Sequence, residues 1–260
     1  MISVVIPAYN AASTILRAVS AALAQDTGDQ ELEIIVVDDG SMDATGILVE
    51  AYAKLSRQTI RLYHQGNLGP AAARNLGVAM SQGGYIAFLD ADDYWLPGKL
   101  RAQLKVLERN LDTALVCTPR NRHRFAPAAA EFLIDFHSLL WSNRVYTSSV
   151  VVRKQAFEAV GGFNPERRLS EDYELWLKIA AKGSLTVLNE PFLEYAEGAG
   201  LSSSLWHMEK GELETYRIIR EAKLISGFSY LAVRGWSIAK YLRRSLKRPI
   251  HTKQSNKGVV

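Results

Sequence analysis

The sequence predicts an α/β protein with an open, mostly parallel central sheet flanked by helices. Three observations lead to this fold class. Short runs of β-branched residues alternate with helical segments over the first 117 residues. Two of these runs end in aspartate clusters. The length of 260 residues, with 48% hydrophobic residues, suits one large domain or two halves that share a core.

The first half of the chain supplies most of the predicted sheet. Residues 2–7 form a β-branched run that predicts a buried strand. Pro70 fits the start of an Ala-rich helix, where its missing N–H costs nothing, and Asp43 is placed to cap the preceding helix. That helix would turn four residues to the core: Ile47, Leu48, Ala51 and Leu55. Strands are expected at 2–7, 33–37, 60–63, 85–89 and 113–117, and helices at 11–24, after Asp43, at 69–80 and at 97–108.

The pattern changes near residue 118. We expect one domain over residues 1–205, with halves at 1–117 and 118–205, followed by a basic helical extension over 206–260 that is disordered after Pro249. The later elements are expected as a helix at 128–141, a strand at 145–152, helices at 154–160 and 171–181, strands at 185–188 and 192–195, and two helices beyond Trp206.

Composition excludes several classes of protein. The single cysteine, Cys117, excludes an intrachain disulfide framework and a Cys-based zinc site, and it fits a reducing compartment. No segment reaches 18 uncharged apolar residues, and the N-terminus lacks the pattern of a secretion signal. The histidines have no metal-ligand spacing, and the usual dinucleotide, P-loop and nucleophile-elbow motifs are absent from the sequence.

Two motifs follow the second and third predicted strands. Residues 38–41 (Asp-Asp-Gly-Ser) lie at the carboxyl end of a strand, where such sheets bind ligands, so a carboxylate there can accept hydrogen bonds from a base or ribose. The alternative is an Asp-Gly turn with a helix cap. In residues 67–75, Gly69 permits a tight turn into a helix, and Arg74 lies about one turn further on, within reach of a phosphate. The alternative is an exposed arginine on a surface helix.

A third motif ends the fourth predicted strand. Asp90, Asp92 and Asp93 place three carboxylates within four residues, where they repel one another unless a cation compensates. Mg²⁺ prefers oxygen ligands and usually takes one or two carboxylates plus substrate phosphates. A divalent metal site is therefore favoured over the alternative, a helix N-cap cluster before Pro97.

A fourth motif runs from Gly161 to Trp176. Its Glu171 and Asp172 lie at a predicted helix start, where carboxylates complement the helix dipole. The functional alternative is a general base, since a neighbouring carboxylate would raise the pKa of an aspartate above its usual value of about 3.9. The motif alone does not separate the two.

Together and in this order, the motifs resemble those of the inverting family 2 glycosyltransferases, of the bacterial cell-surface polysaccharide type, which have the GT-A fold. The resemblance extends over residues 2–205. It implies that residues 1–117 bind a nucleotide-sugar and that residues 118–205 bind the acceptor. The matching segments are residues 4–10, 36–41, 67–75, 88–95 and 161–176.

The resemblance implies contacts with the nucleotide and a metal. Asp39 would bind the base, and Asp90 would face the ribose or a metal-bound water. Asp92 would be the direct ligand of Mn²⁺ or Mg²⁺, with Asp90 beside it. The residues implied to contact the nucleotide are Pro7, Tyr9, Asp39, Arg74 and Asp90.

The resemblance also implies roles at the transferred sugar. Asp93 and Trp95 would flank the donor sugar, whereas Glu171 and Trp176 would lie on the acceptor side. Asp172 would be the general base that removes a proton from an acceptor hydroxyl. That oxygen would attack the anomeric carbon opposite the nucleoside diphosphate, and the metal would offset charge on the leaving group. The anomeric centre would therefore be inverted.

The family pattern narrows the substrates only in part. A UDP-sugar is the expected donor, with GDP- and dTDP-sugars as alternatives, and the acceptor would be a glycan or a lipid-linked glycan. The Gln-x-x-Arg-Trp motif and the membrane helices of processive relatives are absent, so one sugar is expected per event. Relatives often carry Arg or His near residues 192–198, where this chain has Glu194 and Glu197, which puts phosphate contacts from that loop in doubt.

The C-terminal extension carries the positive charge. The whole chain has a net charge of +4, yet Arg234 to Val260 contains eight basic residues and no acidic one. Such a tail suits an anionic membrane surface, and we expect a cytoplasmic protein that is peripheral on the inner face of the membrane. The alternatives are a solvated end, or an apolar stripe that packs on the catalytic body. Phe228, Leu231, Ile238, Leu242 and Leu246 would form this stripe.

Three other functions agree less well with the sequence than a glycosyltransferase does. A catalytically silent nucleotide-sugar-binding or membrane-scaffold protein would have no need of Asp90, Asp92 and Asp172 together. A nucleic-acid binder has no recognised motif here, and the chain before the tail is net acidic, so no nucleic-acid partner is expected. A nucleotidyltransferase would need a Gly-rich N-terminal loop that the sequence lacks.

Overall fold

The computed structural model describes residues 1–56, 59–121, 124–125, 129–196 and 204–247. Strands and helices alternate through the first half, as the sequence predicts. In chain order the elements are β1 (Ile2–Ala8), α1 (Ile15–Leu23), β2 (Leu32–Asp38), α2 (Thr45–Leu55), β3 (Thr59–His64), α3 (Pro70–Ala79), β4 (Tyr85–Phe88), β5 (Tyr94–Trp95), α4 (Lys99–Arg109), β6 (Thr113–Cys117), β7 (Glu131–Ile134), α5 (Phe136–Trp141), a 3₁₀ turn (Thr147–Ser149), β8 (Val151–Arg153), α6 (Lys154–Glu158), α7 (Glu171–Ala180), β9 (Ser184–Leu188), β10 (Leu193–Glu194), α8 (Leu205–Glu221) and α9 (Gly227–Lys247).

One eight-stranded sheet joins the two halves of the chain, in the order β3-β2-β1-β4-β8-β6-β9-β7. Neighbouring strands among β1 to β4 are parallel, as are β6 and β9, whereas β8 and β7 run antiparallel to their neighbours. The carboxyl ends of β1, β2, β4 and β6 therefore meet at one edge, together with the start of β8. This confirms the predicted open, mostly parallel sheet.

Helices cover both faces of the sheet. Along β1 the side chains alternate, so Val5 joins one core and Val4 and Ile6 join the other. The core of Val4 includes side chains of α1, α2 and α4, and the core of Val5 includes those of α3, α6 and α7. All seven residues of β1 are buried, which is why the strand is almost uniformly apolar.

Two predicted elements of the second half are wrong. Residues 128–141 were expected to be one helix, but Glu131–Ile134 is an edge strand paired with β9, and α5 starts only after Asp135, whose carboxylate accepts the Ser138 N–H at 2.7 Å. Pairing with a distant strand overrides the helical pattern here. Within the strand expected at 145–152, Thr147–Ser149 is a 3₁₀ turn, and the strand itself runs only from Val151 to Arg153.

The predicted core face of α2 is also wrong. Ile47 is 72% exposed and Leu55 is 85% exposed, whereas Thr45 and Val49 are buried. The helix lies beside β3, an edge strand in which no residue is fully buried. There is little core at this end of the sheet for a longer apolar face to cover.

The two helices predicted after Trp206 are present as α8 and α9, which pack against each other in opposite directions. Tyr230, near the start of α9, stacks with Arg220 near the end of α8, while Ser237 and Arg244 reach back to Glu209. The disorder predicted after Pro249 lies outside the described residues. No helix in the part of the chain that the structure describes is long and apolar enough to cross a bilayer.

Candidate active site

A cavity of about 590 Å³ opens at the edge where β4 and β6 end and β8 begins. It collects side chains that lie far apart in the sequence. It is lined by Pro70, Arg74, Asp90, Asp92, Asp93, Arg120, Asn143, Val145, Tyr146, Thr147, Arg168, Leu169, Ser170, Glu171, Asp172, Tyr195, Ala196 and Met208. The structure therefore brings together the aspartate cluster, Arg74 and the Glu171–Asp172 pair.

The Asp39 carboxylate organises the turn that enters α3. Its Oδ1 accepts the Gln65 amide at 2.7 Å and the Leu68 N–H at 2.8 Å, and its Oδ2 accepts the Gly69 N–H at 2.8 Å. Gly69 has φ +94° and ψ 165°, a conformation that only glycine adopts readily. The Asp39 carboxylate therefore has the structural role of fixing the turn before α3, and it also lies where it could bind a base.

Pro7 and Tyr9 lie at the end of β1, beside Asp39. Pro7 is buried in the strand, whereas the Tyr9 side chain is 49% exposed just past it. Asp39 itself is buried, and its N–H donates to the Ala8 carbonyl at 2.8 Å. Among the described residues these three are not part of the cavity lining, so a nucleotide that touched them would extend from the cavity across the ends of β1 and β2.

Arg74 joins two of the acidic motifs. Its Nη2 donates to Asp90 Oδ1 at 2.6 Å, its Nη1 donates to Glu171 Oε1 at 3.1 Å, and its guanidinium lies 5.3 Å from the Phe163 ring centroid. Burial opposes the charge on this side chain, but the carboxylates of Asp90 and Glu171 hold the pKa of Arg74 above its usual value. The exposed arginine considered from the sequence is therefore excluded.

The three aspartates after β4 have different surroundings. Asp92 is exposed, Asp90 is partly buried, and Asp93 is 1% exposed. Partial desolvation and the charge of Asp90 raise the pKa of Asp92. Burial and the charge of Asp90 raise the pKa of Asp93 to about 7. Its Oδ1 accepts the Ala196 N–H at 2.9 Å, while its buried Oδ2 has no hydrogen-bond partner among the described residues.

These carboxylates fit a hard divalent cation that also binds phosphate. Asp92 and Asp90 offer the one or two carboxylates that Mg²⁺ usually takes from protein, and Arg74 engages only Oδ1 of Asp90. Partial desolvation, and then the charge of Asp90, raise the pKa of Asp92, and a cation would relieve the repulsion between the two carboxylates. Within the described residues there is no group of three or more side chains positioned to hold a metal without substrate. The site suits a metal shared with a diphosphate.

Glu171 and Asp172 begin α7 and face the cavity. Asp172 Oδ2 accepts the Thr147 hydroxyl at 3.2 Å, and Oδ1 accepts the Tyr173 N–H at 2.7 Å. Burial, and then the charge of Glu171, raise the pKa of Asp172 to about 6, against the lowering effect of Arg74. A carboxylate with this pKa is ionised at neutral pH yet basic enough to accept a proton from a hydroxyl.

The two tryptophans predicted to face ligands are inside the core. Trp95 is 1% exposed, its Nε1 donates to the Ser148 carbonyl at 2.6 Å, and Lys99 Nζ lies 4.0 Å from its ring centroid. Trp176 is fully buried and packs edge-on against Phe163. The predicted contacts with the donor sugar and the acceptor are corrected, because neither ring has surface for a sugar. Trp95 instead bonds to the 3₁₀ turn that contains the cavity-lining Thr147, and Trp176 packs in the core against Phe163.

Two links that the sequence did not reveal fix the loop before α7. Asn75 exchanges hydrogen bonds with both backbone groups of Phe163, at 2.8 and 3.0 Å. The buried Arg167 bonds to Glu174 and Thr215 side chains at 3.0 Å, and to two backbone carbonyls at 2.8 Å. The pairing of an Asn-ended motif with a Gly-Gly-Phe motif could have suggested the first link. No sequence signal identifies the second.

The cavity wall also contains an arginine that was not predicted from the sequence as a site residue. Arg120 follows β6, and its guanidinium lies 4.5 Å from the ring centroids of both Tyr146 and Tyr195. In the described part of the chain it forms no ion pair, and Arg168 on the same wall is exposed. Its position just after a buried strand could have indicated this role, because β6 runs parallel to β4 and the two strands end at the same edge of the sheet.

Comparison with known proteins identifies the family. The family model "Glycosyl transferase family 2" matches residues 3–154, more than half of the chain. An uncharacterized glycosyltransferase of Rickettsia conorii is 34% identical over 71% of this chain and 31% of its own length. The teichuronic acid glycosyltransferase TuaG of Bacillus subtilis, named as putative, is 28% identical over 95% of this chain and 97% of its own length. The chain thus spans about a third of the Rickettsia relative and nearly all of TuaG.

Solved structures show the same fold. TarS residues 1–349 of S. aureus superpose with a TM-score of 0.71 at 18% identity, over 96% of this chain and 75% of that one. The mannosyltransferase PcManGT of Pyrobaculum calidifontis, in complex with GDP-Man and Mn²⁺, gives a TM-score of 0.69 over 96% of this chain and 76% of that one, at 18% identity. The chain therefore belongs to glycosyl transferase family 2, and its fold is GT-A.

Proposed function

We propose that this protein transfers one sugar from a UDP-sugar to a hydroxyl of a glycan or lipid-linked acceptor, with inversion at the anomeric carbon. One observation carries the proposal. Asp172, whose pKa is raised to about 6, lines the same cavity as the aspartate cluster after β4. A base and a site for a metal-bound diphosphate thus share one cavity, as a single displacement requires.

The names of relatives support a role in polysaccharide synthesis. TuaG is named for teichuronic acid biosynthesis, and a 32% identical protein of Rhizobium meliloti, ExoU, for succinoglycan biosynthesis. A TarS structure with a TM-score of 0.71 contains UDP-GlcNAc. We extend these associations to the present chain as a cytoplasmic enzyme of cell-surface polysaccharide synthesis that adds sugars singly.

In the proposed reaction the residues of this chain position the donor and move one proton. Asp39 receives the base at the end of β2, and Arg74 holds Asp90 and Glu171 in place. Asp93, whose Oδ2 lacks a protein partner in the described region, hydrogen-bonds a hydroxyl of the donor sugar. A divalent ion held by Asp92 and Asp90 supplies positive charge beside the departing diphosphate when it is bound.

Asp172 accepts the acceptor proton as the hydroxyl oxygen bonds to the anomeric carbon and the bond from that carbon to the nucleoside diphosphate breaks. The Thr147 hydroxyl bonds to Oδ2 and the Tyr173 N–H to Oδ1, so both carboxylate oxygens are oriented before the acceptor arrives. The Arg74 charge keeps the carboxylate ionised near neutral pH.

Thermal-shift titration tests the donor site. We expect one nucleotide among UDP, GDP, dTDP and CDP to raise the Tm in a Mn²⁺-dependent way, by roughly 5–10 °C at about 100 times its Kd. Asp92→Ala should remove the effect, whereas Asp29→Ala, at an exposed aspartate that does not line the cavity, should retain it. If none of the four nucleotides raises the Tm, the proposed donor site is wrong.

A second experiment tests the chemistry. With the donor found above, Asp172→Asn should keep the nucleotide-dependent Tm shift and lose transfer to the acceptor by about 10²–10⁴-fold. The anomeric configuration of the product, measured by proton NMR, should be opposite to that of the donor. Retention of configuration would contradict the single displacement.

A further inference from the structure

We propose that the outward face of α9 binds an anionic lipid surface. This outer face consists of five apolar side chains on one side of the helix: Phe228, Leu231, Ile238, Leu242 and Leu246. Their spacing of three, four and seven residues places them along one stripe.

The outer face is open along its full length. Phe228 is 85% exposed, Leu231 67%, Leu242 53% and Leu246 87%, and Ile238 is 42% exposed. Single exposed apolar side chains are common on protein surfaces, but a continuous stripe along a helix of 21 residues marks an interaction surface.

The opposite face of α9 is already fixed to the protein. Val233 is buried, and Ser237 donates to the buried carboxylate of Glu209 at 2.9 Å. Lys240 bonds to Glu212 at 2.8 Å. Because α8 and the core hold this side of the helix, rotation of α9 to bury its outer face would break buried polar contacts. The stripe considered from the sequence as a packing surface therefore faces away from the catalytic body.

The charges beside the outer face indicate which kind of partner binds it. Helix α9 contains no acidic residue, and Arg234 and Arg243 lie on either side of the stripe. The whole segment from Arg234 to Val260 carries eight basic residues and no acidic one. An apolar stripe with basic flanks matches the acyl and headgroup layers of an anionic membrane.

The same charges disfavour two other occupants. A second copy of α9 would bring basic flanks against basic flanks, since the helix offers no carboxylate to pair with them. A nucleic acid would match the charge but would leave the five apolar side chains in water. An anionic lipid surface satisfies both features at once.

The C-terminal half of α9 contacts the start of α8, which also lines the catalytic cavity. Tyr241 of α9 contacts Trp206 at the start of α8, with ring centroids 5.8 Å apart, and Met208 one half-turn later lines the cavity. If the protein is the transferase proposed above, a membrane bound at the outer face lies against the same pair of helices, α8 and α9, of which the first turn of α8 lines the cavity. This last step depends on the proposed function, whereas lipid binding itself does not.

Vesicle co-sedimentation of the full chain tests the proposal. We expect binding to phosphatidylcholine vesicles that contain about one third phosphatidylglycerol, and at least about tenfold weaker binding to phosphatidylcholine alone. Leu242→Glu should weaken binding by about tenfold or more, because it places a charge in the exposed apolar stripe that would contact the acyl layer. The matched control is Leu55→Glu, a leucine that is 85% exposed on α2, and it should bind like the wild type.

Several outcomes would overturn lipid binding. These are no binding to anionic vesicles, equal binding to both vesicle types, or equal losses for Leu242→Glu and Leu55→Glu. A dimer in light scattering that Leu242→Glu dissociates would assign the outer face to a second copy, and tighter binding to RNA than to vesicles would assign it to nucleic acid. The nucleotide-dependent Tm shift should be unchanged in Leu242→Glu, so failure at the lipid surface is distinguishable from failure of the donor site.

Discussion

Arg74 and Glu171 are 97 residues apart in the chain, and their side chains meet at 3.1 Å, Nη1 to Oε1. The other end of the same guanidinium holds Asp90. One buried side chain thus couples the aspartate cluster after β4 to the start of α7. The distance between the proposed donor and acceptor sides is set by this contact rather than by either motif alone.

Replacement of Arg74 tests the coupling. Arg74→Ala should lower transfer by at least about 10²-fold and reduce the free energy of unfolding by about 3–5 kcal/mol, since it leaves two carboxylates without their buried partner. Arg74→Lys should recover part of the stability but not the two-pronged geometry. Steady-state kinetics and urea unfolding measure both effects. Wild-type activity in Arg74→Ala would show that the contact is structural only.

The pH profile reports on Asp172. The pKa of about 6 predicts that kcat/KM falls about tenfold per pH unit below pH 6 and is level above it. The charge of Arg74 lowers the pKa of Asp172. The inflection of the kcat/KM profile should therefore stay in place in Arg74→Lys if the lysine ammonium occupies the same position, and should move to higher pH if it does not. A profile that is level from pH 5 to 8 would exclude Asp172 as the base.

The raised pKa of Asp172 also has a consequence for stability. The folded protein holds this proton more tightly than the unfolded chain, whose pKa is near 3.8, so the stability contribution of this group falls as pH rises from about 4 to 6 and stays low above that. Asp172→Asn removes the charge. We expect it to be more stable than the wild type at pH 8, by an amount on the order of 2 kcal/mol, with no difference below pH 4. Urea unfolding at the two pH values checks this.

Gly69 provides a test of the turn that Asp39 organises. Gly69→Ala should lower stability by about 1–3 kcal/mol, because the backbone conformation and not a steric clash disfavours a side chain there: the added Cβ would meet nothing within 4 Å. Gly66→Ala is the matched control, with equally open space and a φ that is not positive. Equal Tm values for the two variants would contradict the conformational argument.

Arg167 attaches the loop before Asp172 to α8. Arg167→Met should lower stability by about 3 kcal/mol and reduce kcat more than it reduces nucleotide affinity, because the loop that carries Ser170 loses its attachment to α8. Arg217→Met, which removes exposed ion pairs on α8, should change stability far less than Arg167→Met does. A Tm equal to that of Arg217→Met would exclude the anchoring role.

The sheet and the acidic motifs were predictable for one reason. In β1, β2 and β4 the apolar runs are local and end in residues that break them, so Asp39 and Asp90 could be placed at strand ends from the sequence alone. Parallel topology then brings those ends together. The family model confirms the resemblance that these motifs carry. The individual roles of the site residues stay predictions.

The missed features depend on distant pairing. Glu131–Ile134 is a strand because β9 lies beside it, and Trp95 is buried because Ser148 and Lys99 enclose it. Arg120 meets Tyr146 and Tyr195 only after three separate segments converge. Local periodicity contains little of this information, since all of these contacts except that of Lys99 with Trp95 join residues more than 20 positions apart.

Strand β8 lies between β4 and β6, although both precede it in the chain. The middle of the sheet can therefore close only after about sixty residues of intervening chain have been synthesised and returned. Because Thr147 and Ser148 arrive with β8, refolding should recover the donor half of the sheet before any cavity exists to bind an acceptor. Such an order of assembly leaves the β4 edge unpaired until β8 arrives, and an unpaired strand edge is a site at which chains can associate wrongly.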